Sequence, residues 1–154
     1  MKRLLPILLF VVLSFIAGYI SRLLQGTSME DWYPMLVKSS LTPSGHVFSL
    51  VWGVLYLLMG ISAGIIWSMH SLYSWLLTVL FVVQILLNMA WSLFFFGMQS
   101  PLSGLVVLIV LFAAVLLYVA GCYTQNKVSA CLNIPYLLWL MFAMFLNTYI
   151  VIYN

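Results

Sequence analysis

Four stripes of polar and aromatic residues recur at helical spacing in this 154-residue chain. Gln84, Asn88 and Ser92 stand at i, i+4 and i+8, with Trp91 and Phe95 beside them. Pro135, Trp139, Ala143 and Asn147 keep a strict i+4 spacing, with Tyr136 alongside. Ser49, Trp52, Tyr56 and Gly60 share one face, and Ser14, Gly18 and Ser21 another. Uncharged hydrogen-bonding groups next to indole and phenol rings suit a flat, large, apolar ligand, held by stacking and a few polar contacts. Taken singly, each stripe also reads as helix packing, because Asn and Ser bond across helices and Gly or Ala lets backbones approach. Together they favour a ligand, since opposed aromatics fill a core less economically than leucines do.

Other chemistries find little footing. Many serines are present, but no nucleophile–base pair stands out among them. His46 and His70 fall at opposite ends of one apolar run and read as interfacial side chains. Cys122 and Cys131 lie nine residues apart without a CxxC pair or a histidine cluster, so no metal site is expected. No Asp, Glu or Lys falls inside an apolar run, which argues against a proton- or ion-coupled exchanger. Gly60 and Gly64 form a GxxxG pattern, which serves close helix approach within a chain or between chains.

The elements that must position these stripes follow from composition. The chain is 66% hydrophobic and 5% charged. A soluble domain carries about 25% charged residues. Seven charges cannot make a soluble shell, so a water-soluble enzyme, a nucleic-acid binder and a disordered chain are excluded. What remains is an all-α integral membrane protein, read as one domain over 1–154. Apolar runs place spans at 4–24, 47–69, 72–98, 102–122 and 129–152, and the expected form is a bundle of five transmembrane helices. Lys2 and Arg3 before the first run could begin a signal peptide, but a 21-residue run matches a bilayer core and no clean cleavage site follows. An uncleaved first span is expected. Arg22, near the end of that span, can snorkel to the interface.

The long connection over 25–46 holds both acids, Glu30 and Asp31, together with Lys38 and the breaker run Thr42-Pro43-Ser44-Gly45. Trp32 and Tyr33 in its middle read equally well as a lid docking on the bundle or as interfacial anchors. With the N-terminus inside, Lys2, Arg3 and Lys127 are cytoplasmic while Arg22 and Lys38 are outside, a thin margin under the positive-inside rule.

Three ordered motifs then resemble one family. Ser40 to Tyr56 (SLTPSGHVFSLVWGVLY) is similar to the loop-to-second-helix signature of the TspO/MBR translocator family, also called the peripheral-type benzodiazepine receptor family. Leu87 to Gly97 (LNMAWSLFFFG) resembles its third-helix motif, and Ile134 to Asn147 (IPYLLWLMFAMFLN) its fifth. The resemblance implies a five-helix bundle, often a homodimer, that binds porphyrins such as protoporphyrin IX under the first loop, with no obligatory cofactor. Carried over by motif, the ligand would meet Tyr33 and Pro43 from the loop, and Trp52 and Tyr56 from the second span. Asn88, Trp91 and Ser92 would come from the third, and Trp139 and Ala143 from the fifth. Some bacterial members are reported to promote light-driven oxidative breakdown of the porphyrin, which would give Trp52 and Trp139 a catalytic role. The chain departs from the family at Ser44 and His46, where a second proline and a large apolar residue are common. It also lacks a basic residue after Tyr149, so the animal members' sterol pattern has no support.

Three functions compete. The first is a tetrapyrrole-binding protein, either a sensor or a translocator, and the second is a photo-oxidative degrader of the same ligand. The third is a membrane scaffold whose aromatics only pack. The expected partners are a lipid bilayer, a flat apolar small molecule and a second copy of the chain, with no nucleic acid. The expected location is a bacterial inner membrane, where helical bundles are the rule.

Overall fold

The computed structural model describes residues 4–154; Lys2 and Arg3, with their share of the topology signal, lie outside the described residues. Five helices are long and apolar enough to cross a membrane. They are α1 (Leu4–Leu24), α3 (Gly45–Trp67), α4 (Leu72–Ser92), α5 (Pro101–Gln125) and α6 (Lys127–Tyr153). A one-turn helix, α2 (Ser28–Asp31), and a 3₁₀ turn at Tyr33–Met35 occupy the long connection. No strand occurs among the described residues.

Helix ends explain where the spans depart from the apolar runs. Ser44, extended at φ −63° and ψ 155°, starts α3 at Gly45, two residues before the run begins. The same helix ends at Trp67, and His70 then takes a left-handed backbone at φ 51° to turn the chain. Ser71 and Ser74 open α4 with a reciprocal capping box. The link between α5 and α6 shrinks to Asn126 alone, which ends one helix and caps the next by accepting from the Ser129 N–H at 3.1 Å. Tyr123, Thr124 and Gln125 are polar but helical, so hydropathy missed them. The third span widens into a π turn at Leu93–Gly97, closed by Met98 N–H donating to Leu93 C=O at 2.8 Å.

The helices form a ring in which α1 packs on α3, α3 on α6, α6 on α5, α5 on α4, and α4 back on α1. The α1–α3 seam depends on small residues. A Cβ at Gly60 would stand 2.5 Å from Val11 Cα, and one at Gly64 would stand 2.4 Å from Ile7 Cα. The GxxxG pattern is thus occupied within the chain. At the end of the ring near Lys127, Ser62, Tyr118, Ser129 and Asn133 make a buried polar cluster joining α3, α5 and α6. The long connection is tied to the rest of the chain at Val37 and at Ser28. Asn154 donates to Val37 C=O at 3.1 Å and accepts from Val37 N–H at 2.9 Å. Gln99 donates to Ser28 Oγ at 3.3 Å.

Candidate functional site

Trp52 and Tyr56 sit one turn apart on α3, so both rings point into the ring of helices toward α4. There they meet Asn88, Trp91 and Ser92, all buried on one face of α4. Asn88 is the hub. It accepts from Tyr56 Oη at 2.8 Å and donates to Tyr136 Oη on α6 at 3.2 Å. Its amide therefore fixes two tyrosines before any ligand arrives. Trp91 donates to Asn147 Oδ1 at 3.4 Å, and Asn147 donates onward to Pro101 C=O at 2.7 Å.

These groups wall a cavity of about 400 Å³ between α1, α3 and α4. Trp52, Tyr56, Trp91, Phe48 and Phe15 supply aromatic faces, and Trp52 and Trp91 lie nearly parallel at 6.3 Å between centroids. The rim runs to the surface between α1 and α3, where Phe15, Tyr19, Arg22 and Ser49 are exposed. Gly53 lies in the wall, and a Cβ there would meet nothing within 4 Å. A second cavity of about 230 Å³ sits under the long connection, lined by Tyr33, Pro43, Phe96 and Leu146. The two cavities share Met29, Gly45 and Phe48 as walls.

The site residues anticipated from sequence thus divide. Trp52, Tyr56, Asn88, Trp91 and Ser92 line the larger cavity, while Tyr33 and Pro43 line the smaller. Trp139 and Ala143 line neither. Trp139 stands behind the wall, edge-on to Trp52 at 6.5 Å and against Phe48 at 5.8 Å. The reason is geometric, because an i+4 step overshoots a helical turn by about 40°. The Pro135–Trp139–Ala143–Asn147 stripe therefore winds from an exposed proline to a buried asparagine. The inward face of α6 runs instead through Ser129, Asn133, Tyr136, Leu140 and Asn147. Mixed i+3 and i+4 steps would have found it.

The loop aromatics resolve the choice between lid and anchor in favour of docking. Trp32 packs edge-on to Phe95 at 5.7 Å, and Tyr33 packs against Phe96 at 5.5 Å, both on the π turn. Lys38 Nζ stands 4.7 Å over the Tyr33 ring and donates to Tyr33 C=O at 2.7 Å. Burial pushes the Tyr33 phenol above its ordinary range. His46 and His70 are both exposed, and no group of His, Cys, Asp or Glu among the described residues could hold a metal.

A TspO/MBR family profile matches residues 10–153. The chain belongs to the TspO/MBR family. It is 33% identical over 150 residues to the tryptophan-rich protein TspO of Chlorobaculum tepidum, covering 95% of this chain and 94% of that one. It is 36% identical over 137 residues to the protein of the same name from Archaeoglobus fulgidus, covering 89% of each. It is 33% identical over 130 residues to the human translocator protein, covering 82% of this chain and 76% of the human one. As a TspO/MBR protein with five apolar helices, it is an integral membrane protein.

Proposed function

We propose that this TspO/MBR protein binds a flat, apolar tetrapyrrole of the protoporphyrin IX type and acts as its sensor or translocator. The observation that carries the reading is the indole- and phenol-walled cavity of about 400 Å³. That volume falls within the ordinary range of small-molecule sites, about 300–1,000 Å³. Faces of Trp52 and Trp91 offer stacking surface, and the tyrosine hydroxyls are already paired through Asn88, so ring burial orphans neither. The same proposal places the protein in a bacterial inner membrane as a homodimer. Its partner face would lie away from Gly60 and Gly64, which pack on α1. The test is titration of protoporphyrin IX into detergent-solubilised protein in the dark, read by tryptophan fluorescence. Saturable quenching supports a binder, whereas its absence leaves the scaffold reading.

A second reading, light-driven oxidation of the bound porphyrin by dioxygen, draws on one contact. Trp52 lines the cavity and Trp139 touches it from behind, and neither indole N–H has a hydrogen-bond partner among the described residues. Two adjacent oxidisable rings, one at the ligand, could relay a radical away from it. Under this reading Trp52 and Trp139 are the catalytic residues. Bleaching of bound porphyrin under light faster than free porphyrin in detergent is its test.

A further inference from the structure

We infer that Phe48 of α3 and Met29 of α2 form a movable partition inside one ligand chamber, and that this partition selects flat ligands by size. The inference rests on the tetrapyrrole reading and adds how that site admits a macrocycle. The cavities of about 400 and 230 Å³ share Met29, Gly45 and Phe48 as walls. Gly45 has no side chain, so Met29 and Phe48 supply the side chains of the shared wall. The larger cavity alone lies near the low end of the range for small-molecule sites, about 300–1,000 Å³, and a tetrapyrrole is a large member of that class. With the partition aside, the chamber runs from Tyr56 and Asn88 in the bundle to Tyr33 and Pro43 beneath the long connection.

Both side chains have room to give way. Met29 is half-buried on the one-turn helix of the long connection, and its unbranched thioether adapts to irregular space. Phe48 is half-buried near the start of α3, with Trp52 at 6.1 Å and Trp139 at 5.8 Å as ring neighbours. Helical side chains lean back over the turn before them, and the residue three positions before Phe48 is Gly45. Nothing lies within 4 Å of the place a Gly45 Cβ would take, so the ring has open space to enter. That move parts Phe48 from Trp52 and Trp139 and turns the Trp139 ring from a backing layer into chamber wall. A small flat ligand fits the larger cavity without it. A macrocycle must separate the rings, and each aromatic pair given up lowers affinity by up to about tenfold.

The experiment compares protoporphyrin IX with a dipyrromethene, a flat probe of half its size, by dark fluorescence titration of wild type, Phe48→Ala and Gly45→Leu. The readout is the ratio of the two affinities, because a side chain that is only a wall contact moves both together. Phe48→Ala opens the partition, so the ratio should shift about tenfold toward the porphyrin. Gly45→Leu fills the space the ring would enter, on a helical backbone that accepts leucine, so the ratio should shift about tenfold toward the dipyrromethene. Thermal melting of each variant confirms folding. Saturable binding of both probes with an unchanged ratio in both variants overturns the partition and leaves the tetrapyrrole reading standing. Saturable binding of the porphyrin by none of the three proteins overturns the tetrapyrrole reading and the partition with it.

Discussion

Asn88 is where the architecture of the site is most exposed to test. Its side chain joins Tyr56 of α3 to Tyr136 of α6 through bonds of 2.8 and 3.2 Å, and it is 2% exposed. Inter-helix hydrogen bonds in membrane proteins average about 0.6 kcal/mol each and reach about 1.7. Asn88→Ala removes two and strands two buried hydroxyls, so a destabilisation of about 1–3 kcal/mol follows. Tyr56→Phe in the wild-type background should cost about 0.6–1.7 kcal/mol, because Asn88 Oδ1 loses its donor. In the Asn88→Ala background the same change should be neutral or stabilising, since it removes an orphan hydroxyl. Ser21→Ala added to that background removes a cavity-wall hydroxyl beside Tyr56 that would otherwise rescue it. The assay is reversible unfolding in mixed micelles, read by tryptophan fluorescence as a double-mutant cycle. Equal cost of Tyr56→Phe in both backgrounds would refute the hub.

Gly60→Val forces a side chain onto the Val11 backbone and should destabilise the α1–α3 seam by about 1–3 kcal/mol, whereas Gly53→Ala should be well tolerated; thermal melting in detergent compares them. Tyr33→Ala removes the ring docked on Phe96 and should make the 25–46 connection more sensitive to protease, while ligand should protect it in wild type. The Tyr33 phenol is raised by burial, so docking is fully present below the ordinary tyrosine range near 10 and weakens as pH climbs through it, because the undocked loop ionises first. Proteolysis rates between pH 8 and 11 should rise accordingly, with Tyr33→Phe flattening the rise. Trp139→Phe keeps an aromatic face against Trp52 and should bind protoporphyrin within about an order of magnitude of wild type, yet lose light-driven bleaching if the second reading holds.

Much of this was legible in the sequence because lipid leaves the outward faces no reason to carry polar groups. The stripes through Ser14 and Ser21, through Trp52 and Tyr56, and through Gln84, Asn88 and Ser92 therefore marked the inward faces. The α6 stripe misled because strict i+4 spacing drifts around a helix. Trp139 consequently landed behind the cavity and Tyr136 in the hydrogen-bonded centre. Long-range partners had no local signal. Nothing in the spacing ties Asn154 to Val37, or the π turn at Phe95 and Phe96 to Trp32 and Tyr33. Asn88 was visible as a site residue, but its commitment to two tyrosines required three helices to be in place.

The central claim is that a flat tetrapyrrole occupies the cavity between α1, α3 and α4. Gly53 lies in that wall and a Cβ there meets nothing within 4 Å, so Gly53→Phe introduces bulk at the cavity wall from a position whose first side-chain atom has room. Dark titration of protoporphyrin IX into wild type and Gly53→Phe, matched for thermal stability, is the most direct measurement. The account predicts saturable tryptophan quenching in wild type and its loss in Gly53→Phe. Equal saturable quenching by both proteins would place the porphyrin elsewhere and contradict it.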